Sequence, residues 1–551
     1  MLSPRTYSQQ THDAQRYQNC TLRNGVVYTG GAKPRCVDCV VIRDGRIAWL
    51  GAYSDCPRAF GDHETIDLRG RMIVPSFTDS HAHPAEGFQL TCDGDLGAAD
   101  SFEAIAQAVR RCAREHPERS WVMAGNVSLE AMGSKLHREA LDTFVADRPL
   151  MLIGHDVHSG CVNSAALRAL GVDAATPDPE GGIYERDGSG EPTGVVHEAA
   201  LYAMFRHLPQ MSPAESVLAL KKAQQQAHRF GITGWFEAMA GQRLVDAYAS
   251  ARDAGELKAN VSLGLLVSPN LPLGSQIDKL CEWRAAYHGG RLRLHTAKIF
   301  IDGVIESHTG ALLEPYADVA HSGNAHWTPR QLREAVFTAD AEGFDLHFHT
   351  IGDRAVRMAL DVLAALKRER PSRESRPQLA HVQMIDEADV ARFAQVDAIA
   401  SVQGVWADVS PDLLALYRQR VGHARIARQY VFGDLVRAGV RLSGGSDWPV
   451  STPNPMVAME HAVRRARAGQ PDAPVFLPEQ RVSLDVMMQA YTHHSAFSLR
   501  FDDQAGHIAT GRPASLAVLS HDLRAVEPHR LAEVEVELTL FEGEAVYGGL
   551  D

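Results

Sequence analysis

Two histidines flank one alanine in "FTDSHAHP", at His81 and His83, shortly after the apolar run Met72-Ile73-Val74. Side chains alternate along a strand, so two imidazoles at this spacing share a face and can chelate one ion. With 26 histidines in 551 residues such a pair arises by chance, and its weight depends on what else the chain offers. Lys298 in "TAKIFIDG", His349 in "HFHTIGD", His381 in "LAHVQM" and Asp447 in "GGSDWP" each stand near the end of a strand-like segment. Imidazole nitrogen suits zinc and related transition metals, and an aspartate adds an oxygen ligand that can also accept a proton from bound water. Lys298 is the odd member. An ammonium beside dications is costly, so a lysine there is deprotonated or chemically altered, unless it is a salt-bridged core residue and a single metal binds elsewhere. His347 shares a face with His349 but lies a strand layer deeper, which favours packing over ligation.

Residues so far apart in sequence meet only if the elements carrying them form a ring. Eight segments read as strands: "MIVPSFTDSH", "GITGWFEAM", "VSLGLLVS", "HTAKIFIDG", "FDLHFHTIG", "PQLAHVQM", "AIASVQ" and "VRLSGGSD". Helical patterns separate several of them. After the fifth, "GDRAVRMALDVLAALKRER" spaces Val356, Leu360, Leu363 and Leu366 near a 3.6-residue period, with Asp353 as the expected N-cap. Eight such units predict an α/β chain with a (β/α)8 TIM barrel, in which active sites lie at the C-terminal ends of the strands. That rule gathers the six residues at five strand ends of one rim. Short strands separated by glycine turns at both ends of the chain predict a composite β-sandwich from residues 1–72 and 496–551. The barrel then takes 73–84 and 231–495. Residues 85–230 are too many for a loop and contain "WVMAGNV", "PLMLIGHDVH" and the hairpin-like "TPDPEGGIYERDGSGEPTG". They predict an α/β insertion over the barrel mouth.

Composition narrows the partners. The formal net charge of −13 argues against a nucleic-acid surface. No apolar run nears the roughly 18 residues of a membrane span, and the polar start "MLSPRTYSQQTHDAQRYQNC" is unlike a signal peptide. A cytoplasmic protein acting on a small molecule is expected, with no membrane partner. Eight scattered cysteines make no disulfide framework. The pair Cys36 and Cys39 in "RCVDCVVIRDGRIAWLG" has zinc-ribbon or redox spacing, but the stretch alternates like a strand and turns at Asp44-Gly45, and no second pair completes a site.

Seven blocks, in order, resemble the amidohydrolase superfamily and within it the family-3 branch that includes N-substituted formamide deformylases: "PSFTDSHAHP", "HDVHSGCVNSAAL", "DPEGGIYERDGSGEPTGVVHEAA", "KIFIDGVIESHTGALLEPY", "FHTIGDRAV", "AHVQMID" and "GSDWPV". The resemblance covers nearly the whole chain. It implies the barrel flanked by a terminal sandwich, and an N-carboxylated Lys298, formed with carbon dioxide, bridging two divalent metal ions. It implies that His81, His83 and Asp447 hold the more buried ion and His349 and His381 the more exposed one. Zinc is the expected metal, with Mn2+, Ni2+ or Fe2+ as alternatives. The implied chemistry is hydrolysis of a non-peptide C–N bond, in an amide, N-substituted formamide or carbamate, by a hydroxide shared between ions about 3.5 to 4 Å apart, with Asp447 as proton shuttle. His158 and Glu306 are the expected substrate contacts, Trp406, Trp448 and Tyr316 candidate pocket walls, and a homodimer is the family's habit. Gly310 and the aspartate-free "ASLAVLS" depart from the pattern, outside the metal set. Two other outcomes stay open: a single-ion deaminase of a cyclic substrate with an unmodified Lys298, and a regulatory or ligand-binding protein that keeps the fold. The complete ligand set favours catalysis.

Overall fold

The computed structural model describes residues 16–550 apart from 86, 88–93, 95, 97–98, 128, 155–158, 180–181, 206, 209–210 and 408–409. Eight parallel strands follow one another in sequence order around one sheet: β1 (Phe77–Ala82), β2 (Ile232–Ala240), β3 (Asn260–Val267), β4 (Leu292–Phe300), β5 (Asp345–Thr350), β6 (Gln378–His381), β7 (Ile399–Gln403) and β8 (Leu442–Gly445). With helices outside, they make the (β/α)8 barrel that the sequence predicts. Strands covered on both faces must be apolar almost throughout, and β1, β5, β6, β7 and β8 are buried at every position. A polar side chain in such a strand must find its partner inside the barrel. The last and first strands are tied together across the seam: Asp447 N donates to His81 O (2.7 Å), His83 N donates to Trp448 O (2.6 Å), and the Asp79 carboxylate accepts from Ser446 Oγ (2.5 Å) and Ser446 N (3.0 Å).

The helix after β5 runs Asp353–Glu369 and buries Val356, Leu360, Leu363 and Leu366, as the periodicity predicts. Its N-cap is Gly352, one residue before the predicted Asp353, whose carboxylate instead accepts from Leu313 N at 2.8 Å. Helix Pro213–Arg229, opened by a capping box of Ser212 and Glu215, packs on helix Gln242–Asp253 and β2. It is therefore part of the barrel wall, although it falls within the span assigned to the insertion.

Both termini build one eight-stranded sheet, in which Met72–Pro75 pairs antiparallel with Leu516–Leu519 and parallel with Cys20–Tyr28. The sequence joins Met72-Ile73-Val74 to the first barrel strand, but the structure divides the run at Ser76. Ser76 N still donates to Ser515 O (3.1 Å) in the terminal sheet, whereas Phe77 N already donates to Gly231 O (2.8 Å) beside the barrel. The predicted turn at Asp44-Gly45 has φ of 50° and 70°, as a two-residue hairpin requires. Cys36 and Cys39 lie in strand Cys36–Arg43, three positions apart and so on opposite faces, one exposed and the other buried.

The insertion holds a five-stranded sheet of Val122–Val127, Leu150–Gly154, Ser159–Val162 and the hairpin Gly182–Arg186 with Pro192–Glu198. Alternate residues of its strands enter two cores, one around Ile105, Leu150 and Leu152, the other around Met151, Ile153 and Leu201. Among the described residues, no helix is long and apolar enough to cross a membrane.

Candidate metal centre

Three imidazoles at the C-terminal rim are each held through Nδ1. His81 Nδ1 meets His347 Nε2 at 2.8 Å, His349 Nδ1 meets Asp302 Oδ1 at 3.2 Å, and His381 Nδ1 meets Gln403 Oε1 at 3.0 Å. With Nδ1 engaged, ring orientation is set and Nε2 is the nitrogen that can ligate, and the accepting oxygens of Asp302 and Gln403 also place the Nδ1 proton of His349 and His381. Stacking fixes the rings further: His349 lies on Phe300 (centroids 3.8 Å apart) and His381 on Trp406 (5.2 Å). The rings crowd one another, with centroids 4.7 Å apart for His81 and His381 and 4.5 Å for His349 and His381.

Asp447 completes the group. Its Oδ1 stands 3.4 Å from Nε2 of both His81 and His83, longer than the usual range of about 2.7–3.2 Å for an N–H···O bond. Donor atoms of His81, His381 and Asp447 all lie within 4.8 Å of one another. Burial alone would raise the Asp447 carboxyl. The adjoining His83 ring and the electrostatic pull of His381, His83 and Lys298 outweigh it, and the group sits below the usual carboxylate range. Burial, reinforced by the charge of Lys298, holds His81 and His347 well below the ordinary imidazole value, so both are neutral. Lys298, 1% exposed on β4, has its pKa pushed down to about 7 by burial, against the pull of Asp447. Its amine is thus partly uncharged near neutrality, the form that reacts with an electrophile. A neutral imidazole, an ionised carboxylate and closely spaced donor atoms fit a divalent metal.

His381 and Asp447 both adopt left-handed backbone conformations, with φ of 74° and 55°. Non-glycine residues in this region cluster at functional sites, where surrounding structure holds them.

Of the predicted residues, His81, His83, His381 and Asp447 come together directly, and Lys298 and His349 join the same rim from β4 and β5. The Glu306 carboxylate accepts from Tyr417 Oη at 2.5 Å, on helix Pro411–Val421. Tyr316 Oη donates to Gly310 O (2.8 Å) and packs, whereas Trp406 does face the site through His381. His158 lies outside the described residues. The sequence does not reveal the supports: His347 behind His81, Gln403 behind His381, and Asp302, which reads as a turn or mouth residue but backs His349 while accepting from Ala311, Ile351 and Gly352 N. Buried Glu237 on β2 is another, accepting from Ala85 N (3.1 Å) and Tyr248 Oη (2.5 Å) and so fixing the segment just after His83. Their only sequence signal is a polar residue in an otherwise apolar barrel strand, as for His347 and Glu237, or at or just past its end, as for Gln403 and Asp302.

A model of the amidohydrolase family matches residues 64–547. The chain belongs to the amidohydrolase family. This amidohydrolase is 28% identical over 532 residues to the putative amidohydrolase YtcJ of Bacillus subtilis (strain 168), covering 95% of this chain and 98% of that protein. It is 26% identical over 548 residues to the N-substituted formamide deformylase of Arthrobacter pascens, covering 94% and 96%. An uncharacterized metal-dependent hydrolase from Pyrococcus furiosus shares the fold with a TM-score of 0.71 at 25% identity, over 92% of this chain and 99% of that one. In this amidohydrolase the segment Trp448–Pro453, which follows Asp447 in the chain, lines a cavity of about 580 Å³ whose other walls include Asn126, Leu218 and Lys222. This volume suits a small molecule.

Proposed function

We propose that this amidohydrolase cleaves a non-peptide C–N bond, in an amide, N-substituted formamide or carbamate. The observation that carries the proposal is the set of three crowded rings held through Nδ1, two of them beside Asp447, together with the buried, weakly basic Lys298. His81, His83 and Asp447 would hold one divalent cation and His349 and His381 a second. Lys298 would reach both as a carbamate: its amine nitrogen bonds the carbon of CO2 and releases a proton, which turns a cation into an anionic ligand. Zinc suits the imidazole-rich set best, with manganese, nickel and iron compatible. Such ions, when bound, supply Lewis acidity at a carbonyl oxygen and acidify water.

The chain's own residues do the rest. His347, Asp302 and Gln403 keep the ligand rings from turning, so no reorganisation accompanies the reaction. Asp447 takes the proton of the attacking water and returns it to the departing nitrogen, so the amine leaves as a neutral molecule. Likeness to the formamide deformylase supports a small acyl group on the cleaved nitrogen.

The test pairs metal analysis and the intact mass at Lys298 with a substrate panel of N-substituted formamides, N-acyl amines, carbamates and aminopurines. Two ions per chain, a carboxylated lysine and release of an amine are expected. One ion, an unmodified lysine and ammonia from an aminopurine would replace this proposal with a single-ion deaminase.

A further inference from the structure

The opposite end of the barrel carries a separate concentration of charged side chains. A cavity of about 740 Å³ lies there, lined by Arg284, Arg293, His295, Arg373, Arg376 and Arg500, with Glu374, Asp502 and Asp503 as acidic neighbours. Arg293 is the second residue of β4, whereas Lys298 stands near its other end. Five residues at about 3.3 Å each put the two on the order of 16 Å apart.

Three of the arginines are committed to carboxylates. Arg373 pairs with Asp340 (2.9 Å), Arg376 with Asp502 (2.6 Å), and Arg500 grips both oxygens of Asp345 (2.5 and 2.9 Å). Arg284 and Arg293 are different: among the described residues neither has a carboxylate within ion-pair distance. Each lies over an aromatic ring instead, Arg284 over Phe344 at 4.1 Å and Arg293 over Phe501 at 5.0 Å. Arg284 Nη2 also donates to Cys281 Sγ at 3.8 Å, while Arg293 Nε is buried with no hydrogen-bond partner; stacking orients both guanidinium groups and leaves their other N–H groups for an oxyanion. His295 adds an independent sign. It is 7% exposed, lines the same cavity, and neither ring nitrogen makes a hydrogen bond. Its nearest carboxylate oxygen, Asp345 Oδ2, is 3.5 Å away and already engaged by Arg500. A buried imidazole without a partner is costly unless a ligand supplies one.

We propose that this cavity binds a small, multiply charged oxyanion of the phosphate class, through Arg284, Arg293 and His295. A chain of net charge −13 repels anions at long range, so saturable binding here depends on these local groups. Free phosphate, diphosphate and a phosphate monoester share this chemistry.

Calorimetric titration of the metal-loaded, full-length protein with inorganic phosphate, pyrophosphate and ribose 5-phosphate tests the proposal. One saturable site is expected, and the tightest probe tells a free oxyanion from an ester. Arg284→Gln and Arg293→Gln should each weaken it by about tenfold or more. Arg293→Lys, which keeps the charge and spares the fold, should recover part of that loss. His349→Asn, at the other end of the barrel, should leave the affinity unchanged. No saturable heat with any probe, unchanged affinity in both glutamine variants, or loss in His349→Asn instead would overturn the assignment.

Discussion

His347 Nε2 lies 2.8 Å from His81 Nδ1, so a histidine one layer below the rim decides which nitrogen of His81 faces Asp447. Removing such a support typically weakens metal binding by about 10- to 100-fold. His347→Ala is expected to fall in that range in a chelator competition, with little change in secondary structure. Wild-type affinity in the variant would mean that packing alone orients His81.

Asp447 is assigned the proton transfers as well as one coordination. Asp447→Asn keeps an oxygen that can ligate but cannot hold a proton. Turnover should drop by about 10²- to 10⁴-fold, while elemental analysis still finds most of the metal. A near-wild-type rate on the true substrate would remove Asp447 from the proton path.

Lys298 gives a spectroscopic prediction. Metal loading in 13C-bicarbonate should produce a carbamate carbon signal by NMR, absent from Lys298→Ala, and that variant should lose one of the two ions and its activity. A variant with full metal content and no difference in the 13C spectrum would leave the lysine a buried amine.

The candidate ligands are legible in the sequence because each interrupts an apolar run, and a lone His, Lys or Asp at the end of a buried strand has few other uses. Their supports are not, because they depend on register between strands. Gln403 reaches His381 only because β6 and β7 pair Ala380 with Ser401. Asp302 looks like any loop aspartate until the Ile351 and Gly352 amides close on it. The division at Ser76 is hidden for the same reason: what ends the terminal strand is its pairing with Leu516–Leu519, far along the chain. Glu306 sits in a segment that reads as an exposed loop, and nothing local shows that Tyr417 will take its carboxylate.

Gly445 tests how tightly the rim is packed. A Cβ there would lie 2.9 Å from His81 Cβ, 3.0 Å from His81 N and 3.1 Å from Gln403 Nε2, pressing on a ligand and on the support of another. Gly445→Ala should cost about 1–3 kcal/mol of stability and lower metal occupancy. Gly274→Ala, with open space around its Cβ, is the matched control and should do neither. Equal metal content in the two variants would show that the rim yields more easily than its contacts indicate.

Acid should weaken the barrel wall through His228. This buried residue of helix Pro213–Arg229 donates from Nε2 to Lys258 O at 2.9 Å, linking the helix to the segment before β3. Burial lowers its pKa from 6.5 to about 4, against the Lys258 carbonyl, which favours the proton. Above pH 6.5 neither the folded nor the unfolded chain is protonated there. Between about pH 6.5 and pH 4 the unfolded chain binds a proton that the folded chain does not, so stability falls as pH falls, and below pH 4 this contribution is constant. The full loss amounts to about 3 kcal/mol. His228→Gln cannot titrate, so although it is less stable than wild type near neutrality, its urea midpoint should fall less steeply across that window. Parallel pH profiles for the two proteins would assign the acid sensitivity to other groups.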